Sequence, residues 1–162
     1  MHPSLISQFL EKTTQVVVAA RHLHTDKDKK GGCLCITDHF GRKHITVSIG
    51  EVFAIEKAQK YWELCQEKAT RLVSNPRHVS SWQSQNESEG KYAGAVRVRD
   101  LILSFSGFPA LWDEACMLAV GHNIGLSLIN REAVEHIRHL SDNPHVWELI
   151  DSTKKEPGHT IM

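Results

Sequence analysis

The run Leu103-Ser104-Phe105-Ser106-Gly107-Phe108-Pro109-Ala110-Leu111-Trp112-Asp113-Glu114-Ala115-Cys116 restricts this chain more than any other stretch, because it spells a strand, a turn and a helix start without a gap. Leu103 and Phe105 alternate with Ser104 and Ser106 at the period of a half-buried strand. Gly107 breaks the run, and Pro109 offers a first helical position with its φ already set. Asp113 and Glu114 follow in or near the first turn, where the helix dipole favours acids. A sheet must therefore pass directly into a helix here, and the free N–H groups of that start suit an anion or a carboxylate.

The rest of the chain reads as elements built to meet this one. Leu5, Ile6, Phe9, Leu10, Thr13, Val17 and Ala20 predict an amphipathic helix from Ser4 to about Ala20. The polar run Thr25 to Lys30 predicts a solvated connector, closed by Gly31-Gly32. Cys33 to Thr37 is a short apolar strand, and Lys43 to Ile49 alternates cleanly, with Ile45, Val47 and Ile49 on one face. The turn chemistry of Asp38-His39-Phe40-Gly41 between them makes a β-hairpin. Ser48-x-x-Glu51 reads as a capping box opening a long helix, which keeps Val52, Ile55, Ala58, Trp62, Cys65, Ala69 and Leu72 on one stripe and stops at Asn75-Pro76. Residues 77–90 lack a period and predict a surface loop around Trp82.

A second hairpin runs from Tyr92 to Val98 and from Leu101 to Ser106, joined by Arg99-Asp100, with Gly94 marking a bulge or a close backbone approach. The helix from Pro109 turns Leu111, Ala115, Leu118 and Ala119 inward. Asn130 caps a further helix through Leu140, and Asn143-Pro144 announces another before Val146, Trp147, Leu149 and Ile150. The fold class is α+β: a central antiparallel sheet of two hairpins with helices packed on its faces. One domain is expected over residues 1–150, with a disordered tail over 151–162.

Nineteen basic residues balance nineteen acidic ones, so no global basic field exists to gather nucleic acid or an acidic membrane surface. Small molecules and proteins are the expected partners. No apolar run is long enough for a membrane span and no secretory signal pattern opens the chain, so a cytoplasmic location is expected. The four cysteines, Cys33, Cys35, Cys65 and Cys116, sit inside regular segments, which suits reduced, buried thiols. Cys33 and Cys35 share a strand face with parallel side-chain vectors, which disfavours a bond between them. Among eleven histidines, His22 with His24, His39 with His44, and His136 with His139 are close in sequence, but no Glu or Cys at ligand spacing completes a set. No metal ligand and no catalytic residue is assigned: Ser106 is not in a nucleophile elbow, Cys116 lies on a core face, and no phosphate loop is present.

Four segments in order, Asp38-x-x-Gly41, Lys57-Ala-Gln-Lys60, Tyr92-x-Gly94-Ala95 and Ser106-Gly107-x-Pro109 with Asp113-Glu114-Ala115, resemble the GlcG/HbpS-like family, which includes the C-terminal domain of PduO-type proteins. The likeness runs from about Gly31 to Cys116. It implies a profilin-like α+β fold, assembly as a homo-oligomer, and a small-molecule ligand, which in some members is haem. Two features depart from the family pattern: the Ser80 to Gly90 loop replaces a glycine-rich segment, and the chain after Val120 is longer. On the hairpin and helix geometry the candidate ligand-facing residues are His39, His44, Lys57, Lys60, Tyr61 and Ser106. The expected function is a small-molecule-binding domain, with haem or a related cofactor as ligand. The competing reading is a non-enzymatic protein-interaction or dimerisation module on the same fold.

Overall fold

The computed structural model describes residues 1–154, and the expected tail falls outside them from residue 155 onward. The described chain runs α1 (Pro3–Leu23), β1 (Lys30–Asp38), β2 (Lys43–Glu51), α2 (Ile55–Val73), two short 3-10 turns, β3 (Ala95–Val98), β4 (Leu101–Ser106), α3 (Ala110–Asn123), α4 (Arg131–Ser141) and α5 (Val146–Thr153). The last helix thus continues past residue 150. The four strands form one antiparallel sheet in the order β2-β1-β4-β3, so the two hairpins meet through β1 and β4. This is the α+β, profilin-like architecture expected. Cys33 lies opposite Ser106 and Asp38 opposite Leu101 across the seam.

Side-chain alternation divides the core. Leu34, Ile36, Leu103 and Phe105 point to the face covered by α1 and α3, where Phe9, Val16, Val17 and most of α3 complete a large apolar cluster. α3 is buried from Trp112 to Gly121, as expected of a helix that is apolar on nearly every side. Cys33, Cys35, Ala95 and Ile102 point to the other face, where Cys65, Ala69 and Leu72 of α2 meet them, with Tyr61 and Val73 packed at the margin. Small and sulfur-bearing side chains there let α2 approach the sheet closely.

Three expectations are corrected. Ser48 and Glu51 belong to β2, which pairs with β1 through to Lys30 opposite Glu51. The capping box therefore does not form, and α2 starts at Ile55 behind Ala54 with no side-chain cap. Gly31-Gly32 is strand rather than the end of a connector, since it pairs with Gly50 and Ile49 of β2, and glycine is needed at 32 because a Cβ there would collide with the backbone of Ser106 and Gly107. The 77–90 segment is anchored by buried Ser80 and Ser81 and not by Trp82 alone, with a capping box between Ser80 and Gln83. Arg71 of α2 holds it down, donating to the carbonyls of Ser81 at 2.6 Å and Tyr92 at 2.5 Å.

The Ser106 to Ala115 motif proves to be a clamp. Asp113 turns back to accept the Phe108 N–H at 2.9 Å and pairs with Lys68 of α2 at 3.1 Å, so the chain's own carboxylate takes the place considered for an anion. Lys68 also donates to the Phe105 carbonyl at 2.9 Å. Its ammonium fits because position 94 is glycine: φ there is +137°, and a Cβ would lie 2.5 Å from Lys68 Nζ. Glu114, one residue on, accepts from Ser80, from Ser141 at 2.6 Å and from Asn143 at 2.8 Å.

Candidate functional site

The sequence-derived candidates fall in different places. Lys57 and Tyr61 share a cleft of about 150 Å³ with Asp28, Lys29, Lys30 and Glu51, at the uncapped start of α2. His39, His44, Lys60 and Ser106 are not among its lining residues. His39 is exposed on the β1–β2 turn, its ring 4.0 Å from that of Phe40. His44 is half-buried on β2, Lys60 is exposed on α2, and Ser106 is buried at the end of β4. A volume of 150 Å³ lies below the roughly 300–1,000 Å³ of ordinary ligand pockets.

A larger groove lies on the other side of the molecule, where no candidate was placed. It measures about 410 Å³, and Val79, Val98, Leu128, Ile129, Ala133 and Ile137 form its apolar walls. Arg97, Arg99 and His136 add polar groups, and the space lies between the β3–β4 hairpin, the α3–α4 connection and α4. Each wall has a local cause. Arg99 takes the left-handed conformation, φ 55°, which lets two residues reverse the chain between Val98 and Leu101. Gly121 admits Ile129 and Val98 against α3, each within 3.3 Å of where a Cβ would stand. His122 Nδ1 meets the Ile129 carbonyl at 2.9 Å, and Leu128 N–H donates to Gly121 at 2.9 Å, fixing the connection. Asn130 then caps α4 by accepting the Ala133 N–H at 2.8 Å, and the i, i+3, i+4 spacing puts Ala133, His136 and Ile137 on one face.

Arg97 donates to the carbonyls of His78 at 2.9 Å, Leu72 at 2.7 Å and Asn75 at 3.3 Å, which orients its guanidinium without neutralising it. Burial pulls Arg97 below its ordinary pKa, as expected of a cation held in a low dielectric. Among the described residues no carboxylate pairs with Arg97 or Arg99. Two guanidiniums, one imidazole and apolar walls form a donor set for a flat, apolar ligand carrying carboxylates.

Past His136 the surface opens into a shallower depression of about 590 Å³ formed by α4 alone, with Arg131, Glu132, Glu135 and His139. Among the described residues no group of three or more His, Cys, Asp and Glu side chains is arranged to hold a metal ion. No described helix is long and apolar enough to cross a membrane. Sequence reasoning missed the groove because its lining comes from separated segments, although two arginines two residues apart, Arg97 and Arg99, on one hairpin were a usable signal. No protein-family model matches the chain, and a search of the curated proteins finds no match either.

Proposed function

We propose that this chain is a cytoplasmic small-molecule-binding domain of the GlcG/HbpS-like type, and that its ligand is a flat, apolar carboxylate of the haem class held in the Arg97–Arg99–His136 groove. The observation that carries this reading is the pair of arginines, neither in an ion pair among the described residues, on a groove of about 410 Å³ with apolar walls. Arg97 is half-buried and Arg99 stands exposed at the rim; keeping the Arg97 cation partly out of water without a counter-charge is unfavourable, and an anionic ligand reduces that penalty. A bound haem would supply an iron for His136 to ligate; Arg97 and Arg99 would hold its carboxylates, and Val98, Ile129 and Ile137 would exclude water from its face. Titration of the purified protein with haemin should shift the Soret band and saturate. Arg99→Glu should weaken binding of both haemin and the iron-free porphyrin by about tenfold or more, whereas His136→Ala should affect only the iron-dependent spectrum. A Soret band unchanged throughout the titration would remove haem.

Self-association is supported by a separate observation. β2 is the free edge of the sheet, whereas β3 is partly covered by the Ser80 bridge to Val96. An antiparallel pairing of two β2 strands centred on Val47 sets Lys43 opposite Glu51, Ile45 opposite Ile49 and Thr46 opposite Ser48, so charge and shape both match. Phe53, 82% exposed, and Ile55, 80% exposed, stand just beyond that edge. Light scattering on the eluting protein is expected to give the mass of a dimer or a multiple of it. Lys43→Glu should shift it toward monomer, and adding Glu51→Lys should restore it; a monomer at every concentration would dismiss the pairing.

A further inference from the structure

Three of the four thiols converge under α2. Cys33 and Cys35 project from one face of β1, and Cys65 descends on them from the helix, all three being fully buried or nearly so. Cys65 Sγ lies 3.0 Å from Cys33 Sγ, and the Cys65 thiol also contacts the Cys35 sulfur. Cys33 and Cys35 cannot readily bond each other, since their side chains leave the same strand in parallel. Cys65 meets both from the facing element, the approach a disulfide needs. The Thr46 hydroxyl, across the ladder from Cys35, donates to that sulfur at 3.8 Å.

We propose that this cluster is an oxidisable site at which a peroxide joins Cys65 to β1 through a disulfide, tying α2 to the sheet. The inference stands apart from the groove reading, because none of the three cysteines lines the groove. Cys35 is the first sulfur to react: the hydrogen bond from Cys65, against burial and helped by Thr46 and Lys43, brings it down to about 7. The Cys65 thiol keeps its proton, held by its contacts with Cys33 and Cys35 and by burial.

In the first step the Cys35 thiolate attacks hydrogen peroxide. An S–O bond forms, the O–O bond breaks, and the leaving hydroxide takes a proton to become water. The Cys65 sulfur then displaces the hydroxyl group of the Cys35 sulfenic acid, which departs as a second water carrying the Cys65 proton. The S–S bond so formed can pass to Cys33 by exchange, since Cys33 is already beside Cys65. In sum two thiols and one peroxide give one disulfide and two waters. Peroxide is the fitting oxidant because the buried cluster admits a small molecule more readily than a bulky disulfide.

Cys116 is the internal control. It is equally buried, but it lies in the large cluster on the other face, with its thiol pushed up by burial and then by the charge of Asp113. Folded wild-type protein would be treated with hydrogen peroxide, quenched, unfolded, alkylated and digested with trypsin. The expected result is a cross-linked species joining residues 31–42 to residues 61–68, two hydrogens lighter than the separate peptides, with Cys116 still alkylated. Cys35→Ser should slow its appearance, and Cys65→Ser should abolish it. Cys65 alkylated as fully as Cys116 after treatment, or linked only between molecules, would overturn the proposal, and this mapping needs no variant to fold.

Discussion

Lys68→Met is expected to lower the unfolding free energy by about 3–5 kcal/mol above pH ~7, because it leaves a buried carboxylate without its cation. Lys68 and Asp113 are each about 2% exposed at the side chain and 3.1 Å apart, and they come from helices on opposite faces of the sheet. Burial raises Asp113 to about 6 even with Lys68 beside it. A carboxyl raised in the folded state contributes stability that is present below its unfolded pKa, near 4, and lost as pH rises through about 6. Without Lys68 the carboxyl rises further and takes up a proton sooner, so the deficit of the variant should shrink as pH falls through this window. The double variant Lys68→Met with Asp113→Asn should recover most of the loss: the asparagine oxygen still accepts the Phe108 N–H, and no charge is left buried. Urea unfolding of the wild type, both single variants and the double variant closes the cycle. Losses that merely add, or that are the same at every pH, would show that the pair carries no coupling.

That pair also marks where sequence reading succeeds and where it stops. The two hairpins and the passage from β4 into α3 were legible because their signals are local: alternation over a few residues, then the turn residues Asp38 to Gly41, Arg99-Asp100 and Gly107. Ser48-x-x-Glu51 misled because a capping box is equally local, whereas the backbone of residues 48–51 is claimed by β1, the other strand of the hairpin, which extends to Lys30. The stripe assigned to α2 was half right for a related reason. Ile55 and Trp62 are 80% and 43% exposed, while Lys68 and Arg71, which no hydrophobic pattern selects, are buried and anchor α2 to the 77–92 segment and α3. Long basic side chains bury their stems and spend their charged ends on carbonyls and a carboxylate.

The same limit hides sites. Cys33 and Cys35 were visible as strand neighbours and Cys65 as a helix-stripe residue, yet only the docking of α2 brings them together. The Arg97–Arg99–His136 groove draws on residues 79, 97–99, 127–130, 133, 136 and 137, which only the tertiary fold brings together. Lys57 and Tyr61 did share a cleft, because four residues on a helix are neighbours by geometry; His39, His44, Lys60 and Ser106 depended on tertiary contacts that spacing does not encode.

Glu114→Ala should be as damaging as any single change in the molecule, with an expected loss of about 3–5 kcal/mol from a cavity and stranded donors together. The glutamate is fully buried and, among the described residues, makes no ion pair; its carboxyl oxygens are held by hydroxyls of Ser80 and Ser141 and by the Asn143 amide. These donors belong to three different places, the 3-10 turn after α2, the end of α4 and the connection to α5. The carboxylate therefore acts as a knot between segments that make few other contacts. Ser141 and Asn143 keep secondary acceptors in the carbonyls of Ile137 and Leu111, so the turn at Ser80 should suffer most. Ser80 also caps that turn through the Trp82 N–H, which gives the loss a local reporter: Trp82 fluorescence should move toward that of an exposed indole, and amide exchange over 78–92 should accelerate ahead of the sheet. Glu114→Gln is the sharper test, because it preserves volume yet replaces one acceptor oxygen with a donor that faces a donor. A glutamine variant with wild-type stability and slow exchange at 78–92 would mean that shape, and not the carboxylate's hydrogen bonds, holds the three segments together.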